Sequence, residues 1–308
     1  MKYYKATIFP KSPFATPPMS DTLFGQLIWM LNDLGEDVAK MLATYDSNPC
    51  FVVSDFIANN QGVAPKMPTT YNLGKSKMEK IQEILDRKEL KKRSKIDLDK
   101  LYKMQKIDSK KIIDNSIKKN HDEINETVHC SLNRLTGTTG NGFDPYSVIE
   151  TVYKKDTFFT CYFYVSENEH VEKIKDALIL MGKIGFGKDA SIGKGRFSVD
   201  KFEEINFSHN NKNSIYTLGN VVLDGINDYK NCYYEIFTRF GKHGNILSVT
   251  GNPYKNPVVM AKQGALITDV SDKLFEKPFI GKSLKGLSYH QETVHQGYSL
   301  YVPIDVEV

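Results

Sequence analysis

"KIGFGKDASIGKGRF", residues 183–197, sets Gly185, Gly187, Gly193 and Gly195 among Lys183, Lys188, Lys194 and Arg196. Upstream, Val171, Ile174, Leu178 and Met181 recur at helical spacing through residues 169–181, and Gly182 is placed to end that helix. Downstream, "GRFSVDKFEEI" reads as a strand. Glycine beside lysine suggests a phosphate cradle, because backbone N–H groups can approach an anion there and the side chains supply charge. The spacing excludes a P-loop: five residues separate Gly187 from Gly193 where four are required, and Gly195 follows Lys194 in place of Ser or Thr. A dinucleotide fingerprint fails as well, since Ala190 comes only at the third position after Gly187, amid lysine and aspartate. The loop suits an extended anion.

The rest of the first half supplies the partners of this helix and strand. "KYYKATIFP" is a first strand, and Pro10, Pro13, Pro17 and Pro18 force an extended approach to a helix that Ser20 or Asp21 can cap. Leu23, Leu27, Met30, Leu31 and Leu34 share one face of that helix, Trp29 reads as core, and Gly35 stands where it ends. A short helix around residues 38–42 leads into the strand "CFVVSDFIA". Later, Phe159, Cys161, Phe163 and Val165 alternate with Phe158, Tyr162 and Tyr164 on a strand with two apolar faces. The order strand, helix, strand, strand, helix, strand is the split βαβ plan of a ferredoxin-like domain, here residues 1–205. Polar residues 206–214 make a boundary, beyond which residues 206–308 are β-rich, with "GKHG" as a hairpin turn. The second half reads as a degenerate second copy of the same plan. The fold class is α+β with two ferredoxin-like domains.

With 308 residues, 40% hydrophobic and 25% charged, the chain can build two modest cores. No stretch reads as a signal peptide or membrane span, so the expectation is a cytoplasmic protein that does not engage a membrane. Cys50, Cys130, Cys161 and Cys232 form no C-x-x-C pair; reduced, mostly buried thiols are expected, with no metal and no cofactor. The net charge of +4 is uneven. Residues 75–119 carry sixteen basic and eight acidic side chains, +8, which leaves −4 elsewhere. Within that insertion, Met78, Ile81, Ile84 and Leu85, and then Leu98, Leu101 and Tyr102 after Asp97, have helical spacing. Two readings stand: a solvated helical elaboration, or contact with nucleic acid.

"SDTLFGQLIW", "NRLTGTTGNGFDPYSVIETV", "GKIGFGKDASIGKGRF" and the terminal "GKSLKGLSYHQETVHQGYSLYVPIDV", in that order over the whole chain, resemble the fourth Csm subunits. These are RAMP-family components of type III-A CRISPR complexes that cap the 5′ handle of the guide RNA. The resemblance implies RAMP/RRM-like ferredoxin domains and a non-catalytic subunit bound to the crRNA 5′ handle. It further implies contact with the large polymerase-like subunit and the neighbouring backbone RAMP subunit, and only indirect contact with target RNA. Residue by residue, the loop contributes Lys183, Gly185, Phe186, Gly187, Lys188, Asp189, Ser191, Gly193, Lys194, Gly195 and Arg196 to RNA binding, with Ser20 at the first helix. Arg134 and Thr136 come from the N-R-x-T-G turn. The insertion at residues 65–128 matches the RAMP thumb by position only; Pro65, Met67, Pro68 and Tyr71 are its candidate wedge.

A single-stranded handle offers phosphates, 2′-hydroxyls and unstacked base edges, which suits such a loop more than a deep pocket. The alternative is a RAMP-type metal-independent endoribonuclease that processes crRNA precursors, which needs a general acid and base at the cleaved linkage. The seven histidines lie outside the loop and the first helix, although a fold can bring His129 or His243 to RNA. Tyr289 and Tyr298 of the second half are expected to be exposed and available to the large subunit.

Overall fold

The computed structural model describes residues 2–67, 76–91, 93–118, 122–139, 142, 144–206, 212–226, 229–249 and 251–307. The first sheet is built on β1 (Lys2–Pro10), β2 (Phe51–Val53), β3 (Phe159–Val165) and β4 (Phe197–Ile205), in the order β4-β1-β3-β2. Every neighbouring pair is antiparallel, with Ala6 opposite Cys161 of β3 and Phe202 of β4. Helices α1 (Ser20–Asp33) and α2 (Glu169–Ile184) form the two crossovers, as the split βαβ plan requires. All seven residues of β3 are buried, which accounts for its aromatics on both faces.

The strand "CFVVSDFIA" is interrupted. Val53 pairs with Phe163, and Ile57 rejoins β3 opposite Thr160 after Ser54, Asp55 and Phe56 turn aside. The detour lets Asp55 Oδ1 accept the Ser20 N–H at 2.7 Å. Helix α1 is thereby capped from a distant strand: its N-cap residue is Met19, not Ser20 or Asp21, and no local side chain bonds the first turn.

The second sheet comprises β5 (Ser214–Thr217), β6 (Asn231–Tyr233), β7 (Leu266–Thr268) and β8 (Tyr301–Ile304), in the antiparallel order β6-β7-β5-β8. Numbered within its own half this is 2-3-1-4, the strand order of the first sheet. The crossover helices of the first half are not repeated here: the β5–β6 connection contains no helix among the described residues, and a single helical turn, Asp272–Phe275, lies between β7 and β8. One core runs through both halves, so that Tyr216, Leu218, Leu266 and Val302 pack in the same cluster as Leu23, Leu27 and Phe51. "GKHG" does not close a tight hairpin. The strand Ile236–Arg239 pairs with Val258–Ala261, and the intervening chain is long enough to include a 3₁₀ turn at Asn245–Val249.

The basic insertion divides into two parts. Gln61–Val63, Arg93–Asp97 and Ile117–Lys118 form a small sheet, and the short helices Leu98–Lys103 and Ser109–Asn115 start at Asp97 and Asp108, whose carboxylates accept the N–H groups of Lys100 and Lys111. Leu98, Leu101, Ile107 and Ile112 of this part belong to the main core. Ile107 pairs with Val306, and Asp305 accepts the Lys106 N–H at 2.8 Å. The helix Lys77–Lys91 has the expected period, but Met78 is 84% exposed and Ile81, Ile84 and Leu85 are exposed beside it.

A separate hairpin, Glu123–His129 with Tyr146–Val152, exposes Ile124, Val128 and Ile149. Two of the four cysteines, Cys50 and Cys161, are buried, whereas Cys130 is exposed and Cys232 half-buried. Among the described residues, no helix is long and apolar enough to cross a membrane.

The division of the insertion has a measurable consequence. Leu101→Ala, which empties part of the shared core, is expected to lower stability by about 2–5 kcal/mol. Leu85→Ala on the exposed helix should change it by no more than about 0.5 kcal/mol. Urea unfolding of both variants checks the contrast; equal losses would show that the Lys77–Lys91 stripe is covered in solution.

Candidate nucleic-acid interface

The glycine loop is supported from beneath by the chain between β1 and α1. Gly195 N–H donates to Pro13 O at 2.7 Å, Arg196 N–H to Ser12 Oγ at 2.8 Å, and Lys188 N–H to Thr16 Oγ1 at 2.9 Å. Gln26 of α1 grips the loop from the other side, donating to Gly185 O at 2.7 Å and accepting from Gly187 N–H at 2.9 Å. Gly185 N–H bonds Met181 O, Phe186 N–H bonds Gly195 O, and Gly193 N–H bonds Ala190 O. The glycine N–H groups are therefore consumed within the protein, contrary to the expectation that they approach an anion. Gly195 has φ +68°, and a β-carbon there would collide with the Phe186 backbone. Gly193 has φ +97° and open space around its α-carbon.

What the loop presents outward is side chains. Lys183, Lys188, Ser191 and Arg196 are exposed and Asp189 is half-buried, in a left-handed conformation that starts the 3₁₀ turn. Phe186 is fully buried in the aromatic cluster with Phe14, so it cannot stack on a base. Lys194 does not face solvent either: its ammonium pairs with the buried carboxylate of Glu150 in the projecting hairpin. Ser20 is wholly buried, its Oγ accepting the Asn220 N–H at 3.0 Å, and is likewise withdrawn from RNA.

The Lys194–Glu150 pair ties the loop to the hairpin, whose base is fixed again where Phe14 and Thr151 exchange backbone hydrogen bonds of 3.0 and 2.9 Å. At its other end, Asn133 organises a turn by accepting from Leu135 N–H and, through its carbonyl, from Gly137 N–H. Arg134 and Thr136 are exposed on that turn, and Leu135 is 96% exposed. The projecting element is thus this hairpin and not the expected wedge. Pro65 is buried and Met67 packs against the main core, while Pro68 and Tyr71 lie outside the described residues. Of the structural residues that sequence reasoning missed, Gln26 had a signal, a polar residue interrupting the apolar run of α1; Glu150, Ser12 and Thr16 had none.

A buried polar joint lies behind α1. Asp21 pairs with Arg239 at 2.6 Å, accepts from Asn220 Nδ2 at 3.0 Å, and has His295 Nε2 at 3.9 Å. Burial pushes Asp55 up to about 7, reinforced by the charge of Asp21 and opposed by the Ser20 N–H and Arg239. Burial pulls His295 down to about 4, with Asp21 opposing and Lys255 and Arg239 adding to the shift. His243 meets His290 edge-on at 5.2 Å, and burial lowers its affinity for a proton. His129 stacks on Tyr146 in the hairpin. No hydrogen bond or ring contact joins a histidine to the glycine loop among the described residues. Tyr289 is exposed as expected, but Tyr298 is buried against Tyr45 and Phe279.

No family model matches the sequence, and no curated protein matches it. Solved structures do match, over the full chain. A chain of the Csm1–Csm4 cassette in complex with cA4 shares 13% identity at a TM-score of 0.60, covering 100% of both chains. A chain of the same cassette in complex with pppApA shares 12% at 0.58, covering 100% of this chain and 99% of that one. A chain of the Csm3–Csm4 subcomplex of the type III-A CRISPR–Cas interference complex shares 15% at 0.58, covering 99% and 100%. The fold is therefore that of a type III-A CRISPR–Cas subunit. Csm4 is the component common to both assemblies, and it is the Csm4-type fold that this chain has.

Two predictions follow from the geometry. Gly195→Ala should destabilise the chain by about 1–3 kcal/mol, the cost of a strained left-handed residue, and by more than Gly193→Ala, which adds no collision; thermal unfolding of the pair checks the order. Asp55 has a folded pKa near 7 against an ordinary 3.8, so its stabilising contribution is complete below pH 3.8 and is lost as pH rises to about 7. His295 acts oppositely: its contribution is complete above 6.5 and lost as pH falls to about 4. Asp55→Asn should remove the loss at rising pH and leave a stability that increases between about pH 4 and 6.5, measured by urea unfolding across that range.

Proposed function

We propose that this chain is the Csm4-type subunit of a type III-A CRISPR complex: a non-catalytic RNA-binding protein that caps the repeat-derived 5′ handle of the guide. In that role it connects the large polymerase-like subunit to the backbone RAMP subunit. The observation that carries the reading is the full-length likeness to a subunit seen both with Csm1 and with Csm3. It is supported by the exposed side chains of Lys183, Lys188 and Arg196 on a loop braced from three sides, next to a hairpin that presents Arg134 at its tip. Phosphate contacts of this kind fix a strand's position, and a projecting apolar tip such as Leu135 suits separation of neighbouring bases. The thumb role is accordingly assigned to the hairpin of residues 123–152.

The affinity-tagged chain, isolated from its own cells, should carry RNAs that share one 5′ end, read by end mapping. Lys183→Ala, Lys188→Ala and Arg196→Ala combined should weaken that retention and reduce the slope of log affinity against log salt by up to about three phosphate contacts' worth. An unchanged slope in the folded variant would count against the loop. Incubation with repeat RNA should give protection without cleavage; specific cleavage would replace the capping role by the endoribonuclease one.

A further inference from the structure

Of the three cations that the glycine loop turns outward, two are held by its regular ends. Lys183 lies in the last turn of α2. Arg196 sits beside β4, its N–H on Ser12 Oγ at 2.8 Å and its carbonyl accepting from the N–H groups of Lys11 and Ser12 at 2.7 and 3.3 Å. Lys188 is placed differently. It follows Gly185, Phe186 and Gly187 on a stretch that belongs to neither α2 nor β4, and Gly187 has φ +77°. Glycine-rich backbone gives up much conformational freedom when it is fixed. A lysine carried on such backbone would be fixed only as the RNA arrived, at the expense of affinity.

Two side chains do that fixing beforehand. Lys188 N–H donates to Thr16 Oγ1 at 2.9 Å and Gly187 N–H to Gln26 Oε1 at 2.9 Å, so that consecutive amides are each taken by a side-chain oxygen. Gln26 Nε2 reaches on to Gly185 O at 2.7 Å. Its amide has one workable orientation: reversed, it would set Nε2 against Gly187 N–H and Oε1 against Gly185 O. Thr16 is also a seat for the loop, since a β-carbon on Gly187 would collide with it. Both side chains are half-buried and spend their hydrogen bonds on loop backbone. The end of the loop that carries Arg196 receives none of these bonds, being held by Ser12 instead.

We infer that Thr16 and Gln26 are positioning residues for RNA binding: they hold the backbone under Lys188, so that its ammonium meets a phosphate at a set place on the loop. The inference rests on the RNA-binding reading and adds to it two uncharged residues that act through Lys188. Their effect leaves Arg196 untouched, and that difference separates positioning from general support of the fold.

The test uses the full-length chain and a labelled single-stranded RNA carrying the repeat-derived 5′ sequence recovered with the tagged protein. Binding is followed by fluorescence anisotropy at several salt concentrations. Thr16→Val keeps the shape and removes the acceptor; Gln26→Met keeps the length and removes the amide. Together they should weaken binding by about two- to tenfold, the cost of immobilising one long side chain on binding. In that background Lys188→Ala should cost less than it does in the unaltered chain, whereas Arg196→Ala should cost the same in both. The slope of log affinity against log salt should fall by about 0.7 on Lys188→Ala in the unaltered chain, and by less in the paired variant. Thr16→Ser, which keeps the acceptor, should show the full Lys188→Ala loss. Additive losses with Lys188→Ala, or unchanged affinity in the paired variant, overturn the inference while RNA binding stands. So does an equal reduction of the Arg196→Ala loss, which would make both residues supports of the whole loop. Absence of binding by the unaltered chain overturns both readings. Circular dichroism of each variant establishes that it is folded, and Thr16→Val alone repeats the cycle should the paired variant unfold.

Discussion

The ion pair between Asp21 and Arg239 fixes how the two halves meet. Asp21 sits in the first turn of α1 and is almost wholly buried, so its charge has to be matched by groups that the second half brings to it. Arg239 supplies the charge, its Nε 2.6 Å from the carboxylate and its Nη2 donating a hydrogen bond of 2.9 Å, and Asn220 Nδ2 is a second donor. A buried pair is weak evidence for net stability, because desolvation offsets much of the attraction. Its effect is on alternatives: any other docking of the halves would strand Asp21 without partners. The same corner holds the Asp55 cap on Ser20 and the Ser20 acceptor for Asn220, so helix start, strand interruption and half-to-half contact are specified together.

That corner also explains why the glycine loop is placed as it is. Helix α1, fixed at its N-terminus by the second half, carries Gln26 to both Gly185 and Gly187. The segment before α1 meets the loop through Pro13, Ser12 and Thr16 and the hairpin through Phe14. Loop and hairpin are then locked to one another by Lys194 and Glu150. The glycines serve this bracing: they let the loop turn tightly against Phe186 and α1, while Lys183, Lys188 and Arg196 keep their side chains on its outer surface.

Local information in the sequence was enough for β1, β3 and β4, for helices α1 and α2 and for the cap at Asp97, since period, prolines and an Asp-led helix start act within a few residues. The short strands of the second half were legible in the sequence, whereas the order in which they pair could not be read from periodicity. What escaped reading depends on contacts distant in sequence. Ser20 looks like a cap until Asp55, 35 residues on, takes its N–H. Lys194 looks like a phosphate ligand until Glu150 neutralises it. Pro65 and Met67 look like an exposed wedge, but the insertion's first strand pairs with Arg93–Asp97 and folds that region onto the core. In each case a residue type compatible with RNA was claimed by the protein's own packing.

Charge is distributed unevenly over this surface. The outer loop keeps Lys183, Lys188 and Arg196 exposed, and such side chains attract any phosphate backbone with little regard to base. The grooves lined by Pro17, Asn59 and Gln263 and by Val63, Lys66 and Gly264 contain no residue of that loop, and their three lysines, Lys66, Lys95 and Lys262, are matched by Asp55, Asp122 and Glu235, the last paired with both Lys66 and Lys262.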